Sequence, residues 1–242
     1  QDVSFSLFAA DACIDLVPDS APIHRSLRRA LRDEDSMVAG DAARALGALG
    51  PRASPSVPAL VKSLSHEEPY VRIYAAEALA SIGPKAETAT NDLAKALGDP
   101  IPGVRWAAGE ALSSIGPAAH PAVPQLVKAL KDEFLYVRIC AVGALGNIGP
   151  KAETAREALK ATANDPVLRH EVEWALNRIA GIEMAKPDVS VNASGSSISL
   201  QPQTPQVQVG NPPIDWDTTT GRNILWSVEL GNEVYGSPVV AG

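Results

Sequence analysis

The chain has few aromatic residues, few cysteines and no excess of positive charge. Phe, Trp and Tyr make up 5% of its 242 residues, so a core has to be built from Ala, Leu, Val and Ile, which suits close packing of helices. Two cysteines, Cys13 and Cys140, are too few for a disulfide framework. The net charge of -7 repels a phosphate backbone unless the basic residues gather on one face. The composition therefore argues against nucleic acid as a partner.

The sequence also lacks the long apolar runs that membrane helices need. It has no stretch of about 18 or more apolar residues, which predicts that no segment spans a membrane. The start, QDVSFSLFAAD, lacks the basic region of a signal peptide. Because the first residue is Gln1 rather than Met, we expect that the chain has been processed or cut. Its compartment stays open at this point.

An internal repeat of constant length organises most of the chain. Columns of Leu, Val and Ala stay in register with this repeat, as in Val38, Val71, Val104 and Val137. The clearest marker is a Gly-Pro pair that recurs at equal intervals, at Gly50-Pro51, Gly83-Pro84, Gly116-Pro117 and Gly149-Pro150. A fixed period of this kind is typical of stacked supersecondary units.

The sequence pattern of each unit predicts two helices. In the unit 84–116, apolar residues follow helical spacing from Ala86 to Leu97 and again from Val104 to Ile115. Gly-Pro is expected to end the second helix, because Gly accepts the left-handed C-terminal conformation and Pro can begin a helix but not continue one. The sequence thus predicts an all-α fold, a right-handed α-solenoid of helical hairpins with one continuous core.

We place this solenoid at residues 1–181. Residues 3–17 are in phase with a second helix and are interpreted as a half repeat, and the last hairpin departs from the pattern as a C-terminal cap would. The predicted hairpins are 21–50, 51–83, 84–116, 117–149 and the capping hairpin 150–181.

The recurring residues resemble short bacterial HEAT-like repeats. The sequences VRIYAAEALASIGPKA at 71–86 and IGPAAHPAVPQLVKAL at 115–130 are similar to the units of the family related to phycobilisome lyases, which read VRxxAAxALGxIG and open with PxAxPAVPxLxxxL. Ankyrin and tetratricopeptide repeats have similar periods, but their signature residues are absent. The resemblance covers residues 3–181 and implies a HEAT-like superhelix of the armadillo-like helical class.

This resemblance also implies a ladder of Arg and Asp at the turns between paired helices. His66 and Ala39 stand where the ladder would have Asp and Arg. An Arg can donate hydrogen bonds both to the carbonyl oxygens of a turn and to an Asp, which holds a hairpin together. We therefore interpret the ladder as structural. Its members are Arg72, Arg105, Arg138, Arg169, Asp99, Asp132 and Asp165.

No arrangement typical of catalysis is visible in the repeats. The four histidines occupy different repeat phases and do not converge, so we expect no catalytic residue, no metal and no cofactor. Solenoids bind partners through variable residues of the second helices, which line the concave side. The candidates are Tyr70, Tyr74, Glu77, Trp106, Glu110 and Tyr136; the alternative is that they only cover neighbouring hairpins. The predicted function is a non-catalytic scaffold that binds another protein.

The C-terminal quarter has a different character. Residues 182–213 are rich in Pro, Ser and Gln and are interpreted as a linker. Within 214–242, TGRNILWSVELG followed by YGSPVVAG is similar to the first blade of quinoprotein-like (PQQ-like) β-propellers. That resemblance implies a partial propeller segment, with Trp226 as its docking tryptophan. The alternative function is accordingly the helical N-terminal module of an exported, hence periplasmic or secreted, propeller oxidoreductase, with the solenoid docked on that propeller.

Overall fold

The computed structural model describes residues 21–182. The second helix of each unit is long, whereas the first is split into a 3-10 helix and a short α-helix. The 3-10 helices are Gly50–Ser56, Gly83–Ala89, Gly116–Ala122 and Gly149–Ala155. The α-helices are α1 (Ala21–Ala30), α2 (Ser36–Ala48), α3 (Val57–Ser63), α4 (Pro69–Ile82), α5 (Thr90–Ala96), α6 (Pro102–Ile115), α7 (Val123–Ala129), α8 (Leu135–Ile148), α9 (Arg156–Thr162) and α10 (Arg169–Ile179).

These helices form an α-solenoid, as predicted. The second helices α2, α4, α6, α8 and α10 pack side by side in one layer, each against the next. The 3-10 and short α-helices form a second layer alongside them. The periodic leucines lie between the layers, and Leu46, Leu79, Leu112 and Leu145 are fully buried. Burial of one such side chain contributes about 1.5–3 kcal/mol, and the column extends this contribution through every unit.

The first helix of each unit differs from the prediction. The sequence predicts one helix from Ala86 to Leu97, but the chain forms a 3-10 helix to Ala89 and then α5. In the second unit, Pro55 lies inside the 3-10 helix and a further proline lies in the first turn of α3. Because proline has no backbone N–H, it favours a break between these two helices. Ala86 breaks the helix without proline, at φ -92° and ψ 15°, and its side chain is fully buried. Because alanine favours helices, packing rather than local propensity sets this break.

The Gly-Pro glycines end the second helices, but not in the conformation that the sequence suggested. Gly83, Gly116 and Gly149 have positive φ, between 68° and 72°, combined with ψ between -136° and -141°. The left-handed helical cap would need positive ψ. These glycines instead occupy the mirror image of the β region, which is open to glycine because it has no Cβ. The chain thus turns from the second helix into the next 3-10 helix.

The fifth hairpin has the same design with a shorter turn. A Cβ built on Gly116 would lie nearest the carbonyl oxygen of Asn147, at 3.9 Å, and one on Gly149 would lie nearest that of Arg178, at 3.8 Å. Along the sequence, Arg178 follows Gly149 by two residues fewer than Asn147 follows Gly116. This agrees with Leu168-Arg169, which stands two residues earlier than the repeat would place Val-Arg. Leu168 is fully buried, as Val71, Val104 and Val137 of that column are.

Several expectations lie outside the described residues. These are the half repeat at 3–17, most of the linker and the propeller-like segment at 214–242 with Trp226. Within 21–182, no helix has the length and apolar character needed to cross a membrane.

Candidate functional site

The Arg–Asp ladder joins consecutive units at the turns between paired helices. Arg105 of α6 donates to both carboxylate oxygens of Asp132, at 2.7 Å from Nε and 2.9 Å from Nη2. Its Nη1 donates to the carbonyl oxygens of Asp99 and Pro100 in its own turn. Asp132 in turn accepts from the backbone N–H of Phe134 at 3.0 Å. One guanidinium therefore fixes two successive turns.

Burial and charge act in opposite directions at this rung. Burial alone raises the pKa of Asp132, but the hydrogen bonds from Arg105 and Phe134 and the charges of Arg105 and Arg138 outweigh it, so the pKa is lowered. The hydrogen bond with Asp132 raises the pKa of Arg105. Both side chains are about one-tenth exposed, so the pair is little screened by water.

The neighbouring rungs repeat the geometry with different strength. Arg72 holds Asp99 with two bonds, of 2.8 Å and 3.0 Å. Arg138 reaches Asp165 through one bond of 3.3 Å, and the exposed fractions of these side chains rise to 23% and 32%. The ladder thus weakens towards the C-terminal cap.

Among the described hairpins, one rung of the ladder has neither its Arg nor its Asp. In each rung the Asp follows the Arg by 27 residues. His66 follows Ala39 by the same 27 residues, so these two residues occupy the two positions of one missing rung. His66 keeps the local part of the aspartate's role, because its Nδ1 accepts from the backbone N–H of Glu68 at 3.1 Å. At the other end, Arg169 occupies the arginine position of the last described hairpin and is exposed.

A separate surface, which we call the second-helix face, consists of the second, fifth, sixth and ninth residues of α4, α6 and α8. Residues with these spacings lie on one side of a helix. All six binding candidates are on this face. Its residues are Tyr70, Ile73, Tyr74, Glu77, Gly103, Trp106, Ala107, Glu110, Tyr136, Ile139, Cys140 and Gly143.

Two of the candidate aromatics are largely occupied by packing. Tyr70 and Tyr74 are half-buried, and their rings meet edge to face with centroids 6.4 Å apart. A Cβ built on Gly40 of α2 would lie 2.8 Å from the Tyr70 ring and 3.5 Å from that of Tyr74. Because Gly40 has no side chain, both rings can cover α2. Their packing agrees with the alternative that these residues cover a neighbouring hairpin.

The other two candidate aromatics are open to solvent. Trp106 is 37% exposed and Tyr136 is 42% exposed. The second residue of α2, Met37, continues the column of Tyr70 and Tyr136 and is 65% exposed. Met37 was not among the candidates, although its place one repeat before Tyr70 could have identified it. Large hydrophobic side chains are thus exposed on three of the second helices, α2, α6 and α8.

Two carboxylates, Glu77 and Glu110, lie at the ninth positions of α4 and α6. Burial raises the pKa of Glu77. The Cys140 thiol of α8 donates to Glu110 Oε1 at 2.7 Å, which orients that carboxylate across the helix boundary. The two acids therefore recur at equivalent places on adjacent helices.

Within 21–182, no group of three or more His, Cys, Asp or Glu residues could hold a metal ion. Burial, followed by the charge of Arg28, lowers the pKa of His24, which lies in the first layer. A cavity of about 380 Å³ beside Arg138 and Asp165 is lined mainly by aliphatic side chains and does not include the second-helix face.

Comparisons with known proteins agree with this fold. A family model described as HEAT repeats matches residues 57–121 and 118–177, which together are half of the chain. A model described as PBS lyase HEAT-like repeat matches residues 38–66. The resemblance to HEAT-like repeats is confirmed. No curated protein sequence matches the chain.

Solved structures of designed proteins are similar to the chain. One engineered protein is 28% identical, with coverage of 71% of this chain and 84% of its own and a TM-score of 0.59. A second is also 28% identical, with coverage of 70% and 50% and a TM-score of 0.58. A designed armadillo repeat protein in complex with the peptide (KR)4 is 22% identical, with coverage of 63% and 80% and a TM-score of 0.56, a likeness of fold alone.

Proposed function

This chain belongs to the HEAT-repeat family, and from that premise we propose that it is a non-catalytic scaffold that binds another protein through the second-helix face. One observation carries the proposal. Of the five large hydrophobic side chains that are exposed within residues 21–182, three lie on this face or continue it onto α2: Met37, Trp106 and Tyr136.

Such a distribution favours recognition of a protein surface. Exposed hydrophobic side chains scattered singly need no explanation, but large ones on the same face of neighbouring helices, such as Trp106 on α6 and Tyr136 on α8, favour an interaction site. Trp and Tyr are also the residues that most often dominate binding energy at protein interfaces. The ladder joins α6 to the turn before α8 and so keeps Trp106 and Tyr136 in fixed relative positions, which lowers the entropic cost of binding.

The fold itself is suited to this use. Each second helix contributes an equivalent row of side chains, so a partner that lies across the helices meets the same positions in successive units. The designed armadillo repeat protein with its bound (KR)4 peptide is an example of a repeat solenoid in that role. Its identity of 22% transfers no binding residue to this chain.

Affinity capture with the full 242-residue chain tests the proposal. We would compare the wild type with the double variant Trp106→Ala/Tyr136→Ala. The control is His120→Ala, which removes an exposed ring from the first layer. Circular dichroism checks that all three proteins keep the same helical content.

Loss of two interface aromatics is expected to lower recovery of specific partners at least tenfold, since each truncation at a central position costs about 2 kcal/mol or more. The His120→Ala chain should recover the same proteins as the wild type. Equal recovery of those proteins by the double variant would show that this face is not the binding site.

A further inference from the structure

The charge on the second-helix face has one sign. Among its twelve residues on α4, α6 and α8 there is no Lys or Arg, whereas Glu77 and Glu110 both lie on it. On the preceding helix α2, Asp41 and Arg44 pair with each other at 3.0 Å and leave no net charge. The centre of the face therefore carries two negative charges within a group of aromatic rings.

Both carboxylates are available to a ligand. Glu77 has no ion pair among the described residues, and the cause that raises its pKa is burial. A partly buried carboxylate without a counter-ion is stabilised by an incoming cation. The thiol bond to Glu110 engages one of its oxygens and brings no positive charge, so the second oxygen can accept further hydrogen bonds.

The aromatic rings add a second means of recognising a cation. Trp106 lies one helical turn before Glu110, and Tyr74 lies three residues before Glu77. The face of an indole or phenol ring attracts an ammonium or guanidinium group within about 6 Å of its centre. Arg in particular can stack on such a ring while its fork of donors reaches a nearby carboxylate.

The repeat spacing suits an extended chain. Packed helices lie about 8–10 Å apart, so Glu77 and Glu110, at equivalent places on neighbouring helices, are separated by about that distance. A polyproline II chain rises about 3.1 Å per residue and repeats its side-chain direction every three residues, which gives about 9.3 Å. Basic side chains at positions i and i+3 of such a chain would meet successive carboxylates.

From these features we infer that the partner presents an extended cationic segment, with Arg or Lys at every third residue, which lies across α4 and α6 and pairs with Glu77 and Glu110. This inference rests on the proposed function and makes it more specific. Nucleic acid and acidic peptides are excluded from this face by its charge, because they would bring further negative groups to two carboxylates that have no counter-ion among the described residues.

Fluorescence anisotropy with labelled peptides and the full chain tests the inference. The probe is a short proline-rich peptide with arginine at every third position. Matched peptides carry glutamate at the same positions, or the same number of arginines placed side by side. The protein variants are Glu77→Gln/Glu110→Gln and the control Glu87→Gln, whose carboxylate is exposed on the first layer.

We expect the spaced arginine peptide to bind wild type and Glu87→Gln alike, and to bind the double variant at least tenfold more weakly. The clustered peptide should bind more weakly than the spaced one, and the glutamate peptide should not bind. Affinity for the spaced peptide should fall as salt is raised.

Two results would overturn the inference: an unchanged affinity in Glu77→Gln/Glu110→Gln, or binding of the glutamate peptide as tight as that of the arginine peptide. Failure of every peptide to bind would also overturn it. The proposed function would still stand in these cases if affinity capture returned proteins whose recovery requires Trp106 and Tyr136. If recovery does not depend on those rings, the proposed function itself fails.

Discussion

Arg105 and Asp132, which belong to successive units, are joined by two parallel hydrogen bonds of 2.7 Å and 2.9 Å. The Arg105 guanidinium also lies 5.6 Å from the centre of the Phe134 ring, next to the turn that it fixes. This arrangement links α6 to the turn before α8. The ladder thereby sets the position of one second helix relative to the next, and with it the position of Trp106 relative to Tyr136.

The contribution of the ladder is expected to depend on burial. Asp132→Asn keeps the shape of the side chain but removes its charge. The buried Arg105 then keeps only Glu133 as a counter-ion, whose exposed carboxylate lies 3.7 Å away. We expect a loss of about 2–4 kcal/mol in the free energy of unfolding, measured by urea denaturation. Asp165→Asn should cost clearly less, because its rung has one long bond and is more exposed.

Glu153→Gln is the control for this series, since Glu153 pairs with Arg156 on the surface and its side chain is 61% exposed. It should leave the urea midpoint unchanged. A loss at Asp165 equal to that at Asp132 would contradict the assigned dependence on burial.

The same rung predicts an acid dependence. The pKa of Asp132 in the folded chain lies below its ordinary value of 3.8, so the folded state binds this proton less readily than the unfolded state. The stabilisation is therefore complete above pH 3.8 and is lost as pH falls through the folded value. The difference in unfolding free energy between wild type and Asp132→Asn should be constant from pH 7 to 5 and shrink between pH 4 and 3. A difference independent of pH would refute this assignment.

The ladder could be foreseen from the sequence because its members recur with the repeat. The period placed Arg72, Arg105 and Arg138 in one column, and the resemblance to HEAT-like repeats supplied their pairing. What the sequence did not reveal is that Ala39 and His66 belong to one rung. That relation depends on the offset between the two partners of a rung, which follows from the way units stack rather than from the period itself.

Restoring the missing rung tests this relation. In the double variant Ala39→Arg/His66→Asp, the new side chains should reproduce the contacts of Arg72 and Asp99. Each single change adds a charge without its partner, so each should be neutral or destabilising. The double-mutant cycle should give a favourable coupling of about 1–3 kcal/mol in unfolding free energy. Additive single effects would show that the two positions do not meet.

Close packing at the C-terminal cap predicts that one substitution changes stability in opposite directions in two backgrounds. A Cβ on Gly146 of α8 would lie 2.2 Å from the ring of the buried Trp174 in α10. Gly146→Ala should therefore destabilise the chain by about 1–3 kcal/mol through overpacking. In a Trp174→Leu background the obstacle is gone, and the same change should stabilise the helix by up to about 1 kcal/mol. Thermal unfolding of the four proteins measures both effects; the same sign in both backgrounds would contradict the contact.

The second-helix face was only partly predictable. Helical spacing identified Trp106 and Tyr136 as outward-facing, and both are exposed. Tyr70 occupies the repeat position of Tyr136, but it packs on α2 together with Tyr74, because Gly40 leaves a gap beneath both rings that no pattern within α4 itself reveals. The break at Ala86 was not predictable either, because alanine favours helices and its full burial cannot be read from the residue itself.

Site-specific photo-crosslinking tests the central claim, that the second-helix face contacts a partner protein, most directly. A benzophenone side chain would replace Tyr136 in the full chain, and in a second protein it would replace His120 in the first layer. Irradiation with the captured partner should give a crosslinked product from position 136 and none from position 120. Crosslinking from position 120 alone, or equally from both, would contradict the claim.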